Sequence, residues 1–190
     1  MIKLKEKNVY KIFEDFFNAT KIHCCIFDEN YSALCYYRED RRTYCDIMKS
    51  KPITCAFCDK CDTNAFTICN NTKTSHFYTC HSNLFEGIIP ILHQNNIVAY
   101  IIMGQMRKNE NIPPHLAKYA QTYNLNYDEL LASYKSIPIC DQKTFTSAMN
   151  LIEILISGTQ FREFTEYLES NIVENIKYYI LLHYTDDNFS

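Results

Sequence analysis

Most of the residues able to bind, coordinate or react lie between Cys55 and Gln105. The segment opens Cys55-Ala56-Phe57-Cys58-Asp59-Lys60-Cys61-Asp62, with Ala65-Phe66 and Cys69 behind. It continues Tyr78-Thr79-Cys80-His81-Ser82-Asn83-Leu84-Phe85-Glu86 and closes with Pro90-Ile91 and Tyr100-Ile101-Ile102-Met103-Gly104-Gln105. Six of the ten cysteines fall in the 36 residues from Cys45 to Cys80. Thiolates at Cys-x-x-Cys spacing can share one tetrahedral zinc ion, with further ligands from elsewhere in the fold. Cys58 and Cys61 form such a pair, and Cys45 with Cys80 or His81 would complete it. Zinc is the cofactor that set would take, although the matching second pair of a common finger is absent. Cys55-x-x-Cys58-x-x-Cys61 also copies part of an iron–sulfur run, but no Cys-Pro follows at the required offset.

A plainer reading competes with both. Cys58, Cys61, Ala65 and Cys69 recur on one helical face, and free cysteine behaves as a small buried hydrophobe. A thiol-lined ligand or redox pocket is the fourth alternative, and spacing leaves all four open. Cys24, Cys25, Cys35 and Cys140 show no spacing logic and read as core. His81 follows Cys80 directly, so on a strand the two would face opposite ways. A turn at Ser82-Asn83 would let both contribute to one pocket. The same adjacency prevents Cys80 and His81 from forming the in-plane hydrogen bond of a nucleophile pair. With no serine elbow, phosphate loop or paired metal carboxylates either, no enzymatic activity is expected.

Gln105 ends an apolar strand just after Gly104. Glycine permits close backbone approach, and the amide offers a donor and an acceptor to a hydroxylated ligand. Glu86 sits in an otherwise apolar run, where a buried carboxylate needs a partner. Tyr78 and Tyr100 are candidates for the pocket wall.

These residues need elements to place them. Val9, Ile12, Phe13, Phe16 and Phe17 predict a helix over 9–20. A β-prone run at 22–27, a polar turn at Asp28-Glu29-Asn30 and a second run at 31–37 predict a hairpin. Residues 43–72 predict two helices split at Lys51-Pro52, because proline disfavours helix in the residue before it. Strands follow at 75–80, 87–92 and 97–103, the last two joined through His93-Gln94-Asn95-Asn96. Pro113-Pro114 suits a helix start, and 128–134 predicts a short helix. An apolar stripe runs from Gln142 to about His183, about 60 Å of helix if unbroken. Such a rod must bend near Gly158 or pack on a partner. The expected class is α+β: an antiparallel, PAS-like sheet flanked by helices, with long C-terminal helices.

Composition sets the outer limits. Apolar residues make up 47% and charged residues 22%, which suits one globular domain rather than a disordered chain. The net charge of −3 has no block of one sign, which gives no nucleic-acid surface. The N-terminus lacks the apolar stretch of a signal peptide, and no run is long enough to span a membrane. The expected location is therefore the cytoplasm, where structural disulfides are rare.

The motif set resembles the sensory domain named after PocR, the regulator of propanediol utilisation. It looks like the version that precedes AraC-type DNA-binding domains in anaerobic bacteria. The resemblance covers about residues 10–157 and rests on Cys58-x-x-Cys61-Asp62 with Ala65-Phe66, Tyr78-x-Cys80-His81, Pro90-Ile91 and Gly104-Gln105. Ser82-Asn83 stand where the family commonly has a small residue and glycine. The resemblance implies a PAS-like domain that binds small hydrocarbon derivatives such as short diols, and it implies no catalysis. Residues 172–190 resemble the first helix of an AraC-type helix-turn-helix domain.

The expectation is therefore a sensory domain over 1–157 and a helical linker and dimerisation segment over 158–190. Its ligand would be a diol, aldehyde or similar metabolite, held by Cys80, His81, Glu86 and Gln105 with Tyr78 or Tyr100. Partners would be that ligand, a second copy through the C-terminal helices, and DNA only through a domain outside this chain. The rival is a redox or metal sensor using Cys45, Cys58, Cys61 and Cys80.

Overall fold

Five stretches rich in β-branched and aromatic residues assemble into one antiparallel sheet. The computed structural model describes residues 2–4, 6–37, 43–157 and 165–167. In chain order the elements are β1 (Ile2–Leu4), α1 (Glu6–Thr20), β2 (His23–Asp28), β3 (Ala33–Tyr36), α2 (Tyr44–Lys49), α3 (Pro52–Thr72) and β4 (His76–Thr79). They continue with β5 (Leu84–His93), β6 (Asn96–Arg107), α4 (His115–Tyr123), α5 (Tyr127–Ser136), α6 (Gln142–Ser157) and β7 (Thr165–Tyr167). The main sheet has the order β3-β2-β6-β5-β4, and every neighbouring pair is antiparallel. With helices on both faces, this is the expected α+β, PAS-like architecture.

Local chemistry explains the joints. β5 and β6 meet through a two-residue turn in which Gln94 and Asn95 have φ of 48° and 63°. Two positive φ values match the right-handed strand twist, and asparagine tolerates them. Thr43 and Asp46 form a capping box that starts α2. Pro52 opens α3, where its missing N–H costs nothing. Across that break the buried Thr54 hydroxyl contacts the Met48 carbonyl and lies 3.2 Å from the Lys51 carbonyl, which fixes the angle between α2 and α3.

Strand alternation sends neighbouring residues to opposite faces. On one face α1 and α6 cover Ile26, Ile89, Ile101 and Met103 with Val9, Phe13, Phe145 and Ile152. Gly87 belongs to this layer: a Cβ there would come within 2.7 Å of Met149 Sδ, so the bare backbone is what admits the α6 side chain. On the other face Ala65, Phe66 and Cys69 of α3 meet Ile88 and Tyr100. At the end of the sheet α2, α4 and α5 enclose Tyr44, Met48, Leu84, Leu116, Leu130 and Tyr134. Each fully buried Leu, Ile or Phe contributes about 2 kcal/mol.

Buried Arg107 ties the end of β6 to the chain leading into α6. Its Nε donates to the Ile137 carbonyl at 2.8 Å and its Nη2 to the Lys135 carbonyl at 2.9 Å, and the guanidinium lies over the Tyr134 ring. The Arg107 backbone pairs with Pro138 and Cys140.

One expectation is corrected in part. Of the helical stripe drawn from Gln142 to His183, α6 covers Gln142–Ser157, whereas Thr165–Tyr167 is extended and pairs with Ile2–Leu4. The rest of segment 158–190, with the helix-turn-helix resemblance and the dimerisation helices, lies outside the described residues. No helix among the described residues is long and apolar enough to cross a membrane.

Candidate ligand-binding site

A cavity of about 250 Å³ lies where α2, α3 and the turn after β4 meet β2, β5 and β6. Its floor is a β-bulge. Glu86 pairs with Gly104 and Phe85 with Met106, so Gln105 is an extra residue, and it takes φ 66°. A long side chain in this region costs about 1–2 kcal/mol. Part of the compensation is visible: the Gln105 N–H donates to Glu86 Oε1 at 3.3 Å. Gly104 makes room for that carboxyl, since a Cβ there would overlap it. Enclosure of Glu86, reinforced by the negative field of Asp62, pushes its pKa up to about 8 against the opposing pull of the Gln105 N–H and Lys49. At neutral pH this residue is mainly a neutral acid that both donates and accepts.

The opposite wall carries a relay of polar side chains. Cys58 Sγ meets His81 Nε2 at 3.3 Å, and His81 Nδ1 lies 3.4 Å from Ser82 Oγ. The buried Tyr44 hydroxyl donates to that same Ser82 oxygen at 3.0 Å. The turn presenting His81 closes through Cys80 N–H to the Leu84 carbonyl and Asn83 N–H to the Cys80 carbonyl. Asn83 there takes φ 61°, a left-handed conformation that asparagine tolerates better than most residues. Burial, with a smaller contribution from His115, lowers the His81 pKa. Burial pushes the Cys58 thiol up to about 12 and holds Cys45 and Cys80 well above their ordinary value. The wall therefore offers neutral imidazole and thiols rather than thiolates.

Charge enters from the two helices. Asp62 Oδ1 accepts from the Tyr78 hydroxyl at 3.2 Å, and burial raises its pKa despite that bond and the field of Lys49. For Lys49, at the exposed end of α2, partial desolvation opposes the charge, but the field of Asp62, joined by those of the cysteines once ionised, outweighs it and the pKa rises. Phe27, Met48, Leu84 and Ile102 supply the apolar lining.

The family described as a sensory domain found in PocR matches residues 4–161. The chain belongs to the PocR sensory-domain family. None of the curated proteins matches it.

In this PocR-type domain Cys80, His81, Glu86 and Gln105 all line the cavity, as do Cys45 and Cys58. Tyr78 stands behind the wall and holds Asp62 in place. Tyr100 is corrected: it packs under α3 against Phe66, and its hydroxyl donates to Asn70, away from the cavity. Cys61 does not reach the lining. Among the described residues no three His, Cys, Asp or Glu side chains are disposed to hold one metal ion. A zinc ion at Cys45, Cys58, Cys61 or Cys80 would require side-chain rotation. Among the lining residues with no expected ligand role are Tyr44, Lys49, Asp62 and Ser82. Asp62 was findable, since it follows Cys58 by four residues and so shares its helical face.

Proposed function

We propose that this domain is a signal-input module that takes a small, partly apolar metabolite bearing hydroxyl or carbonyl groups. The observation that carries the reading is the enclosed Glu86 carboxyl, whose Oε1 accepts from Gln105 N–H while the residue borders a cavity. A cavity of about 150 Å³ holds benzene. By that scale this site has room for about ten non-hydrogen atoms, the range of short diols, aldehydes and hydroxy acids. Membership of the PocR family supports a sensory role rather than a catalytic one. Signal output would run through α6 to a second copy and to an AraC-type DNA-binding domain outside this chain. The exposed Leu151 and Ile154 on α6 are in keeping with a partner helix. Such a mechanism requires the ligand to favour one of two arrangements of α6. Isothermal titration and thermal shift with short diols, aldehydes and acids test it. Binding should weaken in Glu86→Ala, and the absence of heat or protection from every compound would refute this ligand class.

The rival is a thiol-based redox or metal sensor, favoured by the Cys58–His81 contact. Metal analysis of protein purified without oxygen separates the two, because stoichiometric zinc or iron supports the rival.

A further inference from the structure

We propose that the cavity captures an aldehyde covalently, the Cys58 thiol adding to the carbonyl carbon with the His81 imidazole carrying the proton. The inference rests on the receptor reading above and narrows its ligand to an electrophilic carbonyl.

The geometry comes first. Cys58 is a cavity thiol in contact with an imidazole, at 3.3 Å from its Sγ to His81 Nε2. Cys24, Cys25, Cys45 and Cys80 also line the cavity. The far side of the ring is fixed by Ser82, itself fixed by Tyr44. Ser82 Oγ already accepts from Tyr44. When Nδ1–H donates to its second lone pair, Nε2 is left as an acceptor facing the thiol hydrogen. A nucleophile, a base and an orienting group within hydrogen-bond reach form the arrangement that activates thiols.

The chemistry balances without another reactant. Nε2 takes the thiol proton, and the sulfur electron pair forms the S–C bond. The carbonyl π pair moves to oxygen, which takes the proton back from the imidazolium. The product is a hemithioacetal, and the reverse steps release the aldehyde intact, as a sensor requires. Lys49 also lines the cavity, and its positive field acts on Cys58. The field of Asp62 favours its charged form, so it is a poor amine nucleophile and imine formation is disfavoured. Burial keeps Cys58 a thiol at rest, so His81 must assist the addition.

The test uses the full chain with carbonyl-labelled butanal, observed by carbon NMR, and butanol as the matched non-electrophile. Capture predicts that the bound label moves from the carbonyl to the tetrahedral region. It also predicts that butanal, and not butanol, protects Cys58 from alkylation in a peptide map. Cys58→Ser and Cys58→Ala should weaken butanal binding by on the order of tenfold or more and butanol binding by a much smaller factor. His81→Gln should slow the butanal association phase. Bound label that stays at the carbonyl position, or equal affinity of both compounds in wild type and variants, overturns capture and leaves the receptor reading standing. A cyanoborohydride-stable adduct on Lys49 overturns it in favour of an imine. Failure of both compounds to bind sinks capture and the short-ligand reading together. The NMR measurement needs no variant, so a variant that does not fold cannot shelter the proposal.

Discussion

Replacing Glu86 by Gln tests the electrostatics of the cavity directly. Wild-type Glu86 titrates at about 8 in the folded protein against an ordinary value of 4.5. Between those values the native state holds a proton that the unfolded chain releases, so stability falls as pH rises through that window and levels off above it. Integrated from about pH 5 to about pH 9, the loss attributable to this one group is about 4 kcal/mol. That is a large part of the 5–15 kcal/mol typical of a domain. Glutamine is nearly isosteric, can still accept from the Gln105 N–H and cannot ionise. Urea denaturation at a series of pH values should show the wild-type midpoint falling by about 2 M relative to Glu86→Gln across the range, with m near 2 kcal/mol/M. The two proteins should converge near pH 5. Parallel curves would mean that the carboxyl is solvated or already paired in the native state, and the account of the bulge would then be wrong.

Gly104→Ala should cost about 2 kcal/mol, because the new methyl claims the space of the Glu86 carboxyl. Adding Glu86→Ala should restore most of that loss in a double-mutant cycle, and strictly additive effects would contradict the overlap. Arg107→Ala should cost about 3 kcal/mol by leaving the Lys135 and Ile137 carbonyls unpaired. It should also speed amide exchange of Cys140, whose N–H bonds to the Arg107 carbonyl, and unchanged exchange there would refute the clamp.

Most of the elements were legible because they carried a strong local signal. Lys51-Pro52 marked the split between α2 and α3, and Asn95-Asn96 marked the β5–β6 turn. The apolar runs marked Glu86 and Gln105 as polar residues at the edge of buried strands. They could not say which stretch of the sheet a helix covers: Tyr100, a candidate for the cavity wall, lies under α3. The Cys58–His81 contact joins residues 23 apart and depends on how α3 crosses the turn after β4, for which no local pattern exists. Lys49 was invisible for a different reason, since a lysine in the last turn of a short helix reads as a solvated cap. β1 and β7 are three residues each, too short to show any period.

Glu86 and Gly87 are consecutive, yet one borders the guest chamber and the other lies bare against Met149 of α6. On the proposed reading, receiver and transmitter share a single peptide plane. A guest that displaced the carboxylic acid would twist that plane, and position 87 has no side chain to absorb the rotation before the thioether feels it. A device wired this way needs neither a hinge nor a travelling loop, and the sheet itself acts as a drumskin between message and response.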